Sequence, residues 1–201
     1  MVHGMKDKFL SPLVRAVLLS VSLGCLAIGA RAADDPTAYK LVKEGNRYVG
    51  EQAKDRVVQI RSDKSVGSMT PKVWYIVYRD ETATLKAVEV KFVAGKMADV
   101  KRPTRLLEAI SDKNEELERK KLKVDSDEAI KTALKESILE NLKITATAPR
   151  LELWNDQPSW KVRLWAAKLK DTTKDVDIGE VIISAETGKV MKADVKISKV
   201  D

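Results

Sequence analysis

The chain has almost none of the side chains that perform chemistry near neutral pH. It contains one cysteine and one histidine in 201 residues. Both residues, Cys25 and His3, lie in the N-terminal segment. If that segment is removed, no thiol and no imidazole remain, which excludes a disulfide, a cysteine nucleophile, a histidine-based triad and a histidine-ligated metal site. We therefore expect no catalytic residue, no cofactor and no bound metal.

Long apolar runs are equally scarce. Residues 16–30 form an uncharged run that follows Lys6, Lys8 and Arg15, and this run is shorter than the roughly 20 residues that a membrane-spanning helix needs. Ala30-Arg31-Ala32 has the small-x-small pattern of a signal peptidase site. We predict that residues 1–32 are a Sec-type signal peptide cut after Ala32. The mature chain would then be periplasmic or secreted and would have no membrane span.

The charge balance gives little support for a nucleic-acid partner. The formal net charge is +7, and part of this excess lies in the predicted signal peptide. The remaining positive charge is distributed among many acidic residues, whereas nucleic-acid binding favours concentrated basic patches. We expect the partner to be a protein, whose identity the sequence does not specify.

The first half of the predicted mature chain has a helical pattern followed by alternating patterns. Asp35 and Pro36 are typical of a helix start, and apolar residues at helical spacing predict a helix over residues 36–54. β-Branched and aromatic residues then predict antiparallel strands at residues 56–62, 72–79 and 85–93. The strand at 73–78 is apolar on both faces, so we expect it to be central or to lie at a contact between subdomains.

The second half repeats this order. Residues 104–123 are rich in alternating charges and predict a solvated helical linker. Asp125 or Ser126 then begins a second helix, and strands follow at residues 150–154, 160–169 and 178–184. The chain closes with a hairpin at residues 180–197, whose turn contains Gly188, and residues 89–97 repeat that hairpin in shorter form.

These patterns predict an α+β fold class. It consists of two helix-plus-antiparallel-sheet repeats, residues 33–103 and 124–201, joined by the charged helical linker at residues 104–123. The helix of each repeat would cover one face of its own sheet. Because no disulfide is available, buried aliphatic side chains would supply the stability.

The second repeat resembles the PepSY domain family. The resemblance rests on Asp127-Glu128-Ala129-Ile130 with Ala133-Leu134, on Trp160-Lys161-Val162, and on Gly179-Glu180-Val181 followed by Ala185-Glu186-Thr187-Gly188-Lys189-Val190. Residues 33–103 match more loosely, and Ser184 stands where the family usually has aspartate. The resemblance implies an exported, non-enzymatic bacterial protein that binds another envelope or secreted protein, such as a peptidase that it inhibits or chaperones. It carries over no catalytic residue.

Alternation along the strands indicates a candidate partner-binding face. If Trp160, Val162 and Leu164 point inward, Lys161, Arg163 and Trp165 point outward, and so does Trp154 if Leu151 and Leu153 face the helix. Tryptophans among basic side chains are typical of a binding surface. The alternative is that Trp154 and Trp165 pack against the other repeat or the linker.

Two other functions remain open at this stage. A small-ligand or glycan carrier would have an apolar pocket between helix and sheet. A hydrolase that uses carboxylates alone would bring two acids together, for which Glu89 and Glu180 occupy equivalent positions. Asp175 and Asp177 also suggest a calcium site, although their spacing is not that of an EF-hand and a solvated loop explains them as well.

Overall fold

The structure is a computed structural model that describes residues 36–102 and 115–201. The predicted signal peptide at residues 1–32 and most of the predicted linker lie outside these described residues. Within them, none of the helices has the length and apolarity that crossing a bilayer requires.

Residues 36–102 and 115–201 contain two short α-helices, α1 (Ala38–Gly45) and α2 (Ser126–Leu134). The prediction that the first helix extends over residues 36–54 is wrong, since the chain turns after Gly45 and only a 3₁₀ turn at Glu51–Ala53 follows. Tyr78 lies against this end of the helix, where its hydroxyl donates to the Val42 carbonyl at 2.9 Å. Glycine has low helix propensity, and the absence of a side chain at Gly45 makes room for the Tyr78 ring.

The described part of the chain has eight strands, which form one antiparallel sheet. In chain order they are β1 (Val57–Ser62), β2 (Val73–Arg79), β3 (Ala87–Val93), β4 (Lys96–Lys101), β5 (Ile144–Trp154), β6 (Gln157–Ala167), β7 (Asp175–Ser184) and β8 (Val190–Val195). Their order across the sheet is β4-β3-β2-β1-β5-β6-β7-β8. Both outer strands are short and carry aspartate and lysine, which discourages further strands from adding to the edges.

The predicted fold class of two helix-plus-sheet repeats is wrong, because the strands form a single sheet. β1 and β5 pair at Ile60–Leu151 and Arg61–Arg150 and so join the two groups of four strands. Beyond this pairing, the Ser65 N–H donates to the Thr147 carbonyl at 2.8 Å. Residue alternation predicts which side chains share a face, but it does not predict which strand edges pair, so the junction was missed.

The predicted helical linker is also wrong in the part that the structure describes. Residues 115–123 contain a single 3₁₀ turn, Arg119–Lys121, with extended chain on either side. The strand at residues 73–78, predicted to be central or to lie at a contact between subdomains, is β2, an inner strand that lies between β1 and β3. The junction is instead formed by β1 and β5.

Both helices lie on one face of the sheet, which we call the helix face. Leu41 of α1 and Ile130 of α2 belong to a single apolar core with side chains from the strands. The largest fully buried members from the strands are Trp74, Trp160, Tyr78, Phe92, Ile60, Ile76, Leu151, Leu164, Ile178 and Ile183. The prediction that Trp160, Val162 and Leu164 point inward is confirmed, because none of the three has exposed surface.

The opposite face carries most of the polar side chains of the inner strands, and we call it the charged face. Its members on the strands include Arg61, Tyr75, Glu89, Lys91, Arg150, Glu152, Lys161, Arg163 and Trp165. They alternate with the buried side chains of the helix face, as the pleat of a strand requires. The candidate site lies on this face.

Candidate functional site

A row of cations crosses the junction between β1, β5 and β6. Arg61 is directly opposite Arg150, and Arg150 is directly opposite Lys161. Like charges in such positions destabilise a sheet unless acids compensate for them. Glu89 contacts Arg61 at 2.6 Å, and Glu152 contacts Lys161 at the same distance. Acids on neighbouring rows of the same face therefore compensate for part of the positive charge of the row.

A cavity of about 380 Å³ opens on the charged face beside this row. It is lined by Ser62, Asp63, Lys64, Ala148, Pro149, Arg150, Glu152, Lys161, Arg163, Trp165 and Glu180. Three of the four predicted site residues, Lys161, Arg163 and Trp165, thus line one concave surface. Each lies two positions after the previous one on β6, so a regular strand places all three on the same face.

Arg163 is held at the cavity by an ion pair with β7. Its Nε lies 3.1 Å from Asp177 Oδ2, and 57% of the Arg163 side chain is exposed. The register shifts here, since Leu164 pairs with Gly179 whereas Trp165 pairs with Asp177. The bulge places the Asp177 carboxylate next to Arg163, and Asp177 Oδ1 also accepts a hydrogen bond from the Gly179 N–H at 2.9 Å.

Trp165 is half-buried because a lysine from the loop after β1 lies over it. Lys64 Nζ is 5.0 Å from the centroid of the indole ring, within the range of a cation–π contact. The same ammonium contacts Asp175 Oδ2 at 2.6 Å, and the Thr145 hydroxyl donates to that oxygen at 3.1 Å. The hydrogen bond from Lys64, and then that from Thr145, holds the pKa of Asp175 below its usual value. Asp175 is thus kept ionised as a support for Lys64.

Glu180 differs from the other acids in the cavity lining. Glu152 is bonded to Gln59 and Lys161, and Asp63 accepts a hydrogen bond from the Tyr75 hydroxyl. Glu180 is half-buried, and its side chain has no hydrogen bond or ion pair within residues 36–102 and 115–201. Its carboxylate is therefore an acceptor in the cavity that the described side chains leave unused.

Trp154 lies apart from the other predicted site residues. It pairs with Gln157 at one end of β5, whereas Trp165 pairs with Ala146 near the other end. Eight residues of strand separate the two positions, which corresponds to roughly 27 Å. Trp154 is half-buried on the charged face and does not line the cavity.

The structure does not bring together the acids that other functions would need. Glu89 on β3 and Glu180 on β7 are separated by four strands, or roughly 24 Å. Asp175 and Asp177, which suggested calcium, are bonded instead to Lys64 and Arg163. Within the described ranges, no three acidic, histidine or cysteine side chains are grouped so that they could hold a metal ion.

Sequence reasoning missed the cavity residues that lie outside β6. Lys64 follows β1, Arg150 lies on β5 and Glu180 lies on β7. The sequence suggested Glu180 only as one acid of a pair with Glu89, and the cavity itself depends on β1 pairing with β5. An arginine on each of these two strands, Arg61 on β1 and Arg150 on β5, was the available signal, because a charged side chain within a sheet lies on its polar face.

Comparisons with known proteins define the fold alone. No family model and no curated protein matches the chain, so the PepSY resemblance remains a prediction. A solved structure, that of a candidate lipoprotein from Clostridium difficile 630, matches with a TM-score of 0.51 and 17% sequence identity. The match covers 80% of this chain and 94% of the other. One group of four strands makes up less than 80% of this chain, so the similarity in fold extends across both groups of four strands.

Proposed function

We propose that this protein is an exported, non-enzymatic binding protein that holds a partner protein against the cavity around Trp165. The observation that carries the proposal is that Lys161, Arg163 and Trp165 line the same concave surface on the charged face. Tryptophan and arginine are the residues that most often dominate protein interfaces when they lie in a recess. Arg163 and Glu180 supply a donor and an acceptor there for polar groups of the partner.

The electrostatics of the cavity support binding rather than catalysis. A carboxyl group that acts as a general acid needs a pKa raised toward neutrality. Asp175, which lies behind Trp165, instead has a lowered pKa, because Lys64 donates a hydrogen bond to it. Asp175 is therefore suited to stay charged and to orient Lys64, while Glu152 and Asp63 accept hydrogen bonds from Lys161 and Tyr75.

Export is supported by the predicted signal peptide. The Clostridium difficile protein with a similar fold is itself a candidate lipoprotein, which is compatible with the same location. The PepSY resemblance makes a secreted or envelope peptidase the first partner to test. Affinity would come from the tryptophan and from charge complementarity, without formation of a covalent bond.

The proposal is tested by capturing partners on the immobilised mature chain, residues 33–201, from envelope and culture-medium fractions of the source organism. Two variants alter the cavity, Arg163→Glu and Trp165→Ala. Two matched controls make the same changes elsewhere. Lys189→Glu reverses an exposed charge near the β7–β8 turn. Trp154→Ala removes a half-buried tryptophan of the charged face that does not line the cavity.

We expect the wild type and both controls to retain the same partner and both cavity variants to lose it. Circular dichroism on all four variants checks that each is folded. Failure of the wild type to capture any protein would contradict the proposal. So would equal capture by the wild type and the two cavity variants.

A further inference from the structure

A second concave surface lies on the helix face, beside α1. It is a groove of about 260 Å³ whose walls include Tyr39 and Val42 of α1 and Leu122 of the chain before α2. Val57 of β1 and Leu117 form its floor, and each is 3% exposed. The Leu117 N–H donates to the Val57 carbonyl at 2.7 Å, which fixes the two floor residues relative to each other. The groove therefore reaches the apolar core.

The walls of the groove are held in place by hydrogen bonds that leave their apolar surfaces available. The Tyr39 hydroxyl donates to the Val124 carbonyl at 2.7 Å, and burial raises the pKa of this phenol above its ordinary value. The hydroxyl therefore stays protonated and bonded to the backbone. Tyr39 contributes its ring to the groove, and Val42 lies one turn further along the same helix.

The rim of the groove carries three charged side chains, Lys43, Asp55 and Arg119. Asp55 is already paired, since its carboxylate accepts from Asn46 Nδ2 at 2.8 Å and contacts Arg119 Nη1 at 3.2 Å. The Lys43 side chain has no hydrogen bond or ion pair within the described part of the chain. The rim thus has one net positive charge, and the ammonium of Lys43 is the group available to a ligand.

We propose that this groove binds a short, linear monocarboxylate, with its hydrocarbon chain against Val42, Val57 and Leu117 and its carboxylate at Lys43. Burial of the hydrocarbon chain supplies the affinity, because apolar surface of both the ligand and the groove is removed from contact with water. One ammonium complements one carboxylate, whereas a phosphate dianion would require further donors. A cationic chain of the same length would be repelled by the net charge of the rim.

This site is separate from the cavity around Trp165, because the helix face and the charged face lie on opposite sides of the sheet. Loss of partner capture in Trp165→Ala therefore says nothing about the groove. The groove can be tested with a purified chain and three probes of equal length that differ in the head group: octanoate, octanol and octylammonium.

The experiment follows the methyl signals of Leu117 and Leu122 by NMR during titration, below the micellar concentrations of octanoate and octylammonium and below the solubility limit of octanol. We expect saturable shifts with octanoate, weaker binding of octanol and the weakest binding of octylammonium. Absence of saturable octanoate binding would overturn the proposal. Equal affinity for octanoate and octylammonium would overturn it as well, because the head group would then have no role.

Two lysine variants on α1 test the assigned contact. Lys43→Gln removes the rim charge, and Lys40→Gln removes an exposed charge from the same helix outside the groove. We expect Lys43→Gln to weaken octanoate binding roughly fivefold and to leave octanol binding unchanged. Lys40→Gln should match the wild type with both probes. An unchanged octanoate affinity in Lys43→Gln would contradict the assignment.

Discussion

The backbone N–H of Ala38, in the first turn of α1, donates a hydrogen bond of 3.0 Å to the hydroxyl of Ser126, in the first turn of α2. Asp125 completes the arrangement, because its Oδ1 accepts from the N–H of Tyr39 at 3.1 Å and from that of Ser126 at 2.7 Å. Thr37, the N-cap of α1, makes no side-chain capping bond. The N-cap and the first residue of the second helix therefore cap both helices.

Replacement of Ser126 by alanine should destabilise the protein, because the substitution leaves the buried N–H of Ala38 without a partner. The affected N–H lies in α1, although the substituted residue lies in α2. We expect a loss of about 1–2 kcal/mol in the free energy of unfolding, measured by urea denaturation. Thr37→Ala is the matched control and should change it by less than about 0.5 kcal/mol. Similar losses in the two variants would contradict the capping role of Ser126.

Replacement of Gly179 by alanine should disrupt the pairing of β7 with β8. Gly179 has a φ of +116°, and a Cβ built on it would lie 2.0 Å from the backbone oxygen of Asp194. We expect a loss of about 3 kcal/mol or more, since strain and a backbone clash combine. Gly67→Ala is the control, because Gly67 has a φ of +71° but open space around it.

The control Gly67→Ala should cost only about 1 kcal/mol, which is the conformational penalty by itself. Thermal unfolding of the two variants side by side separates the clash from the dihedral preference. If both variants lost the same stability, the contact of Gly179 with Asp194 would have no energetic role.

The stability of the protein should fall in acid partly because of Asp80. This carboxylate is fully buried and accepts hydrogen bonds from the Thr82 hydroxyl at 2.6 Å, the Thr82 N–H and Gln52. The pKa of Asp80 is lowered, and the hydrogen bond from the Thr82 hydroxyl contributes most to this shift. Burial opposes the shift, whereas Gln52, the Thr82 N–H and Arg102 add to it. Because the pKa is lower in the folded state, the ionised carboxylate stabilises the folded protein at pH values above the ordinary pKa of about 3.9.

That contribution is lost as the pH falls from about 3.9 toward the lowered pKa of the folded state. Urea midpoints of the wild type and Asp80→Asn, measured from pH 6 down to pH 2, test this. We expect Asp80→Asn to be less stable at pH 6 and to lose less stability on acidification, because its amide does not titrate. Parallel curves for the two proteins would show that Asp80 does not contribute.

Replacement of Ala94 by asparagine should stabilise the β3–β4 hairpin. Ala94 and Gly95 form a two-residue turn in which φ is +47° and +77°, as in a type I′ turn. Asparagine adopts such angles more readily than alanine, so we expect a gain of about 0.5–1 kcal/mol. Thermal unfolding measures it, and a lower melting temperature would contradict the assignment of the turn.

Local patterns in the sequence predicted the faces of the strands well. The alternation from Trp160 to Trp165 is a property of one strand, so it correctly separated buried residues from those of the charged face. The same reasoning grouped Lys161, Arg163 and Trp165. It could not place Trp154 relative to them, because that separation depends on the register between β5 and β6.

Features that depend on distant partners could not be predicted in this way. The end of α1 is determined by Tyr78, which lies 36 residues from the carbonyl it contacts. The cavity requires the pairing of Arg61 with Arg150 across the junction. Two like charges directly opposite each other would normally argue against such a register, and the acids that make it acceptable, Glu89 and Glu152, come from other positions on the face.

Because β1 pairs with β5, the two groups of four strands should not separate into independent folded units. If the chain were cut between residues 102 and 115, separating the two fragments would leave each with a central strand whose outer backbone groups had lost their partner. Each fragment would also keep only half of a common apolar layer. The two fragments should therefore remain associated without a covalent link. A nicked sample would show two bands on a denaturing gel and yet elute from a sizing column as one particle of unchanged dimensions.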